Sequence, residues 1–533
     1  MKLRYSTLIA AVGMLIAMPA AAQETYENTK LVDKDLNGTA RYVGMGGAME
    51  ALGADISTIS TNPAGIGLFR RSYVGGSFGM VSQQDAKDFA TGNKTNASFD
   101  QLGFVYSFRS GRKSFMNFAF NYHKSRNFDQ ILSAANKALG GASQNKLTYI
   151  KLRSGLLYPL DKNGLPNDAK GNALITNNQA DYLIYNSMTK YVYPDGKADF
   201  GYYDASLYTF DRASKGYIGE YDFNLSGNIN DRVYLGLTVG LHDVHYKDYS
   251  EYTDYLTPNQ DNVSQLTLQD RREITGTGVD LKGGVIFRPV ESSPFRIGLY
   301  VSTPTWYDLT TKNYTTLTDG QSAASNGESY DFKVYTPWTF GASLGHTIGN
   351  YLALGATYEF ADYGSMDTRL IDGSYYDDYG YSYDETSSDE NMNRNTKDVL
   401  RGVSTLKVGA EFKAMPELAI RLGYNYVSPM YQKNGYKDGT IDSEGSYYAS
   451  TTDYTNWKST NRITVGFGYQ IGKMNLDLAY QYSQTNGDFH PFMDSWGDFT
   501  NADGSKESID NFADAVKVKF KRHQLLFTVG YRF

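Results

Sequence analysis

The stretch Val233-Tyr234-Leu235-Gly236-Leu237-Thr238-Val239-Gly240-Leu241 decides the fold. Its odd positions are all aliphatic, and Tyr, Gly, Thr and Gly fill the even ones. Successive strand side chains point to opposite faces, so one face is apolar and the other small or polar. The same period of two recurs on both sides. Upstream, Met116, Phe118, Phe120 and Tyr122 alternate with Asn117, Ala119, Asn121 and His123. Downstream, Leu418, Ile420, Leu422, Tyr424 and Tyr426 alternate with Ala419, Arg421, Gly423 and Asn425. Segments 463–470 and 474–482 repeat the pattern.

Alternation alone also fits a soluble sandwich, and the connections separate the two. Strands are expected near 72–82, 98–109, 114–124, 216–228, 232–246, 264–289, 295–306, 330–347, 351–362, 397–413, 417–431, 459–471, 474–485 and 516–533. Their connections alternate between short turns, such as Gly472-Lys473, and long loops, of which 125–215 is the largest. Short turns at one end and long loops at the other are the pattern of an outer-membrane barrel. The expected fold is therefore all-β: a transmembrane antiparallel β-barrel of about 14 strands, filling residues 72–533.

Composition agrees. The 533 residues include 46 Tyr, 27 Phe and 53 Gly, and Tyr suits a membrane interface because its ring is apolar and its hydroxyl stays wet. The absence of Cys excludes disulfides and thiolate metal sites. A net charge of −7 argues against nucleic acid as a partner. Lys2 and Arg4, the apolar run Leu8–Met18 and Ala20-Ala21-Ala22 predict a signal peptide over 1–22, and so export.

At the C-terminus, Leu525, Phe527, Val529, Tyr531 and Phe533 share one face. Upstream the parity flips, with Val516, Val518 and Phe520 alternating with Lys517, Lys519 and Lys521. The expectation is that roughly ten C-terminal residues cross the bilayer, with the lysines above it. Phe533, Tyr531 and Val529 also resemble the signal read by the barrel assembly machinery. The orientation that follows puts Phe533 and the short turns in the periplasm and the long loops outside the cell.

Residues 23–71 are Gly-rich and not strand-like, so their expected place is inside the barrel, where backbone groups find partners. Gly44, Gly46 and Gly47 fall in the run Gly44-Met45-Gly46-Gly47-Ala48, and Asn62-Pro63-Ala64-Gly65 stands just before the first strand. With Asn37-Gly38-Thr39-Ala40-Arg41 and Ala54-Asp55, these resemble the N-terminal hatch of the FadL/TodX (OmpP1) family of outer-membrane transporters for long-chain fatty acids and other hydrophobic compounds. The resemblance implies passive, hatch-gated transport with lateral release near a kinked third strand. Hydrophobic small molecules, such as fatty acids or aromatics, would be the ligands. The third strand here, 114–124, contains neither Gly nor Pro to kink it. Outer-membrane lipid and lipopolysaccharide are the expected surroundings, and a monomer the expected state.

Other signals point elsewhere and weakly. Two G-x-S-x-G matches, at Ser77 and Ser343, lie in strands rather than in the strand–turn–helix context a nucleophile needs, so no enzyme is expected. His242 and His245 are three apart on a strand and face opposite sides, so they cannot share a metal, and no metal or cofactor is expected. Lumen-facing Arg421, Asp477, Glu359, Lys407, Glu411, Asp280 and Lys282 predict a wet, charge-paired interior. Ile131, Leu132, Ala135 and Leu139 have helical spacing and predict a short helix in the longest loop. The acidic, Tyr-rich stretch 372–391 reads as a solvated loop. Two other functions remain open on the sequence: a porin for polar solutes, and a surface adhesin or receptor built on the long loops.

Overall fold

The computed structural model describes residues 24–156, 178–188, 190–192, 198–258, 262–320, 323–377, 379–447, 450–501 and 503–533. The expected signal peptide, 1–22, lies outside the described residues.

Fourteen antiparallel staves close on themselves. They are β1 (Tyr73–Gln83), β2 (Thr95–Arg109), β3 (Phe115–Asn127, continuing as Gln130–Lys137), β4 (Ala205–Ile229), β5 (Val233–Leu256), β6 (Gln265–Phe287) and β7 (Arg296–Ser302, continuing as Trp306–Thr318). The others are β8 (Thr339–Ile348, preceded by Ala323–Tyr335), β9 (Leu352–Asp362), β10 (Gly402–Lys413), β11 (Leu418–Val427), β12 (Tyr454–Ile471), β13 (Met474–His490) and β14 (Val516–Arg532). Closure is between first and last, from Tyr73↔Arg532 to Gln83↔Arg522. A closed sheet leaves no strand edge in lipid, which is what lets strands cross a membrane.

The short connections are tight. Between β4 and β5, Asn230 and Asp231 take φ of 52° and 55°, the left-handed conformation that suits a two-strand turn and that Asn and Asp tolerate. Next to that end of the barrel, an outward belt of apolar side chains faces away from the protein. Leu237 is 57 %, Leu422 59 % and Ile463 57 % exposed, together with Phe104, Phe118, Leu225 and Leu525. An apolar belt of this extent around a closed sheet is a lipid-facing surface. Among the described residues, no helix is long and apolar enough to cross a membrane.

At the loop end the staves outrun the belt. β4 has 25 residues and β5 has 24, against the roughly 10 a tilted strand needs to span a bilayer. Beyond Asp243 the outward face of β5 carries Lys247 and Glu251, while its inner face mixes Val244, Tyr246 and Tyr252 with buried Asp248, Ser250 and Asp254. There Tyr208, Phe210, Phe489, Phe492 and Val518 form one buried cluster, and Tyr246, Ile274, Phe332 and Val334 belong to another. The parity flip in β14 follows from this. β14 pairs with β13 from Met474↔Tyr531 to Phe489↔Val516 without a bulge. The same inner face is polar in the lumen (Thr528, Gln524) and apolar above it (Val518), so the outer lysines stand above the lipid.

Several expectations change. Gln130–Lys137 is a strand paired with β4, not a helix, so the helical spacing of Ile131, Leu132 and Ala135 is incidental. The segment between paired strands in the largest loop is consequently 138–204 rather than 125–215. It carries helices α1 (Gln144–Arg153) and α2 (Gln179–Ser187), tied by Lys151 to Asp181 at 2.7 Å. The expected strand 330–347 is interrupted at 336–338 around Pro337, opposite the break at Pro304 in β7; proline has no N–H for the ladder. Within 372–391, part of the acidic stretch forms a hairpin with Arg369↔Ser388 pairing.

Candidate functional site: the filled lumen and the free edge of β3

Residues 24–72 run through the lumen from the loop end to the start of β1. Their local structure is set by short capping side chains. Thr39 accepts a hydrogen bond from Tyr42 N, Asp55 from Ser57 N and Asn62 from Ala64 N, which starts a helical turn at each place. Pro63 occupies the first position of its turn, where no N–H is required.

The sequence-predicted glycines and the Asn-Pro-Ala element meet the inner wall backbone to backbone. A Cβ at Gly236 would lie 2.3 Å from the Pro63 carbonyl carbon, and one at Gly284 would lie 2.1 Å from Asn62 Oδ1. A Cβ at Gly423 would lie 2.1 Å from Gly46 N, one at Gly409 would lie 2.2 Å from the Met45 carbonyl oxygen, and one at Gly355 would lie 1.9 Å from that of Ala48. Gly44 packs against Gly466 with 3.1 Å between its Cβ position and the other Cα. The small lumen-facing residues of the strands are therefore a glycine belt on which the N-terminal segment rests. Gly47 takes φ of 80° to make the turn. Gly65 sits under Thr58, with Thr58 Oγ1 2.4 Å from where its Cβ would be. Phe533, Tyr531 and Val529 lie on the outer face at the turn end, where Phe533 N donates to the Ser72 carbonyl at 3.1 Å.

The lumen charges are paired as the sequence suggests. Arg41 forks onto Glu411 at 2.9 and 3.0 Å, and Arg421 joins Glu411 and Asp477, each at 2.6 Å. Lys407 reaches buried Glu50 at 2.9 Å, and Glu50 also accepts from Tyr42 and Thr357. Two of these clamps, Arg41–Glu411 and Glu50–Lys407, join the N-terminal segment to the wall. Each removes two charges from water, so their geometry must be kept for the segment to stay seated.

Above the clamps is a cavity of about 130 Å³. Leu31, Val32, Tyr300, Tyr307, Val403 and Val427 supply apolar wall, and Lys34 and Arg462 face the same space. Arg462 is buried, bonds Asn425 at 2.9 Å and has no carboxylate within 4 Å among the described residues. Its neighbours are Asp33 and Asp35. Burial alone would raise the Asp35 carboxyl, but Arg522, Arg126 and Arg462 beside it hold it below the usual carboxylate range. Three guanidinium groups thus face two carboxylates.

The wall is incomplete beside this cavity. β2 and β3 pair from Arg109↔Phe115 only as far as Gln101↔His123. Past that point β3 shifts register against β4 between Lys124 and Arg126, and Asp100 is the extra residue of a bulge in β2. The N-terminal segment occupies the released edge. Asp35 N donates to the Ser125 carbonyl at 2.9 Å, and Asn127 N donates to Asp35 Oδ2 at 2.9 Å. Asn37 Nδ2 donates to both Asp100 and the Lys124 carbonyl at 3.0 Å. β3 thus deviates without Gly or Pro, through a bulge on one neighbour and a register shift on the other.

No family model and no curated protein matches the sequence. Among solved structures the chain is similar to the toluene transporter TbuX of Ralstonia pickettii, at 14 % identity over 93 % of this chain and 99 % of that one, with a TM-score of 0.46. The likeness is one of fold alone. It extends to CymD, a monoaromatic hydrocarbon channel (9 % identity, 93 % and 98 % covered, TM-score 0.45), and to a Pseudomonas aeruginosa FadL homologue (11 %, 97 % and 100 %, 0.44).

Among the described residues, neither G-x-S-x-G serine hydrogen-bonds a histidine or a carboxylate. Ser77 bonds Gln101 and Thr528, and Ser343 bonds the Gly298 carbonyl. His242 faces the lumen and His245 the outside. Sequence reasoning missed the glycine belt, the free edge of β3 and the proximity of His123 to His242, because all three depend on strands brought together by barrel closure.

Proposed function

We propose that this protein is a passive outer-membrane channel for hydrophobic compounds, with long-chain fatty acids as the favoured class. The N-terminal segment acts as its hatch, and the free edge of β3 is its lateral exit. The observation that carries this reading is the side chain of Asn37. It bridges Asp100 and the Lys124 carbonyl where the β2–β3 ladder stops, so withdrawal of the segment uncovers a break in the wall. An apolar molecule leaving sideways enters lipid without crossing water, which avoids the full cost of hydrating its surface. The cavity suits an amphiphile: its apolar wall accommodates a chain, and Arg462 offers two-point recognition of a carboxylate. The long loops face outward and the short turns the periplasm, with Phe533 at the periplasmic rim as a cue for barrel assembly.

The test is entry of a labelled long-chain fatty acid into liposomes holding the purified protein. Uptake should exceed that of empty liposomes. Arg462→Ala should slow the fatty acid more than an uncharged aromatic hydrocarbon. If neither compound enters faster than through protein-free membranes, the reading fails. A large, stable single-channel conductance would favour a polar-solute porin instead.

A further inference from the structure

Three carboxylates, two imidazoles and one ammonium meet on the inner faces of β3 to β6. Lys282 Nζ lies 2.7 Å from Glu220 Oε1, 3.1 Å from Asp222 Oδ1 and 2.6 Å from Asp280 Oδ1. The second oxygens of these carboxylates face histidines instead. Glu220 Oε2 is 3.6 Å from His123 Nε2 and 3.9 Å from His242 Nδ1. His123 Nδ1 is 3.6 Å from Asp222 Oδ2, and His242 Nε2 is 3.2 Å from Asp280 Oδ2. All six residues are buried.

We propose that this cluster binds one divalent transition-metal ion of the zinc class, held by His123, Glu220 and Asp222. Three observations carry it. First, the ligating atoms of His123, Glu220 and Asp222 lie within 4.8 Å of one another, as do those of Glu220, His242 and Asp280. Ligands held about 2.0–2.2 Å from a tetrahedral ion stand roughly 3.3–3.6 Å apart. The 3.6 Å between His123 Nδ1 and Asp222 Oδ2 is therefore too long for a hydrogen bond but right for a shared ion. Second, His123 Nδ1 and Asp222 Oδ2 face each other with no hydrogen-bond partner among the described residues, although Asp222 is fully buried and His123 is 7 % exposed. Third, three carboxylates against one ammonium leave an excess of two negative charges, which one dication neutralises and two would overshoot. Lys34, on the wall of the same cavity, is the next cation. The mixture of imidazole and carboxylate selects a zinc-like ion over calcium or magnesium, which take oxygen ligands.

The location gives the ion a consequence. His123 is the last residue of β3 paired to β2, and His123, Glu220 and Asp280 all face the cavity. A bound ion would pin β3 to β4 beside the free edge.

The full-length protein, purified and stripped with a chelator, should take up one equivalent of Co2+. The visible bands should be those of a low-coordinate site with nitrogen ligands, and Zn2+ should displace it one for one. Asp222→Asn should weaken Co2+ binding at least tenfold, and the double variant His123→Gln/His242→Gln should abolish it. His245→Gln should bind as the wild type does. Heat-modifiable gel migration reports folding of each variant. If the double variant does not fold, Asp222→Asn and the Co2+ spectrum of the wild type decide. No stoichiometric uptake by the wild type, a spectrum of oxygen ligands only, or undiminished uptake by folded Asp222→Asn would overturn the proposal.

Discussion

Replacing Gly423 with alanine tests whether the N-terminal segment rests on the glycine belt. The new methyl carbon would stand 2.1 Å from Gly46 N and 2.4 Å from the Met45 carbonyl carbon. Ordinary contact begins near 3.4 Å, so the segment must withdraw by 3.4 − 2.1 = 1.3 Å. The atoms in the way are backbone, held between the Arg41–Glu411 and Glu50–Lys407 clamps, and cannot rotate aside. Overpacking of this kind costs about 1–3 kcal/mol. Gly283→Ala is the matched control, because nothing lies within 4 Å of its added Cβ. There, alanine should be neutral or stabilising by up to ~1 kcal/mol, since glycine carries the larger entropic cost of ordering. Urea unfolding of the detergent-purified proteins measures the difference, and tryptic cleavage after Arg41 measures release of the segment. Gly423→Ala should unfold at lower urea or be cleaved faster, with Gly283→Ala like the wild type. If the two variants coincide in both assays, the segment does not rest on that wall.

Further consequences concern the clamps and the loop end. Lys407→Met leaves Glu50 buried without a cation, which should cost ~3–5 kcal/mol in urea unfolding, and Glu50→Gln in the same chain should recover most of it. Asp254 lies above the membrane belt, where burial raises its carboxyl to about 7 despite hydrogen bonds from Tyr252 and Gln144 N. A raised acid is favoured protonated in the fold. The loop end should therefore be most stable below the unfolded value near 3.8 and lose stability as pH rises to about 7, staying level above. Amide exchange around α1 at pH 5 and pH 8 checks this, and Asp254→Asn should remove the difference.

The barrel was legible in the sequence because lipid imposes a strict rule: each crossing strand has one apolar face. The residues 233–241 obey it without exception, and β14 announces the edge of the membrane by changing parity while pairing without a bulge. The rule lapses where both faces are protein. Gln130–Lys137 reads as a helix because it lies above the lipid, with its inner side chains in a packed cluster and its outer ones wet. The N-terminal glycines were legible as a tightly packing segment, yet their partners were not. Gly355, Gly409 and Gly423 look like the small face of any strand until closure sets them against Ala48, Met45 and Gly46. The His123–His242 pair was hidden for the same reason, since β4 lies between the strands that carry them.

The central claim is that the N-terminal segment must leave the β3 edge for a hydrophobic molecule to pass. The protein has no cysteine, so a single engineered disulfide can lock it. Asp35 and Ser125 are joined by a backbone hydrogen bond of 2.9 Å, which makes this pair the place to introduce the bond. The decisive measurement is fatty-acid uptake by liposomes containing the Asp35→Cys/Ser125→Cys variant, before and after reduction. Uptake should fall to the protein-free rate when the bond is formed and recover when it is reduced. Equal uptake in the two states, with the bond verified by mass, would contradict the account.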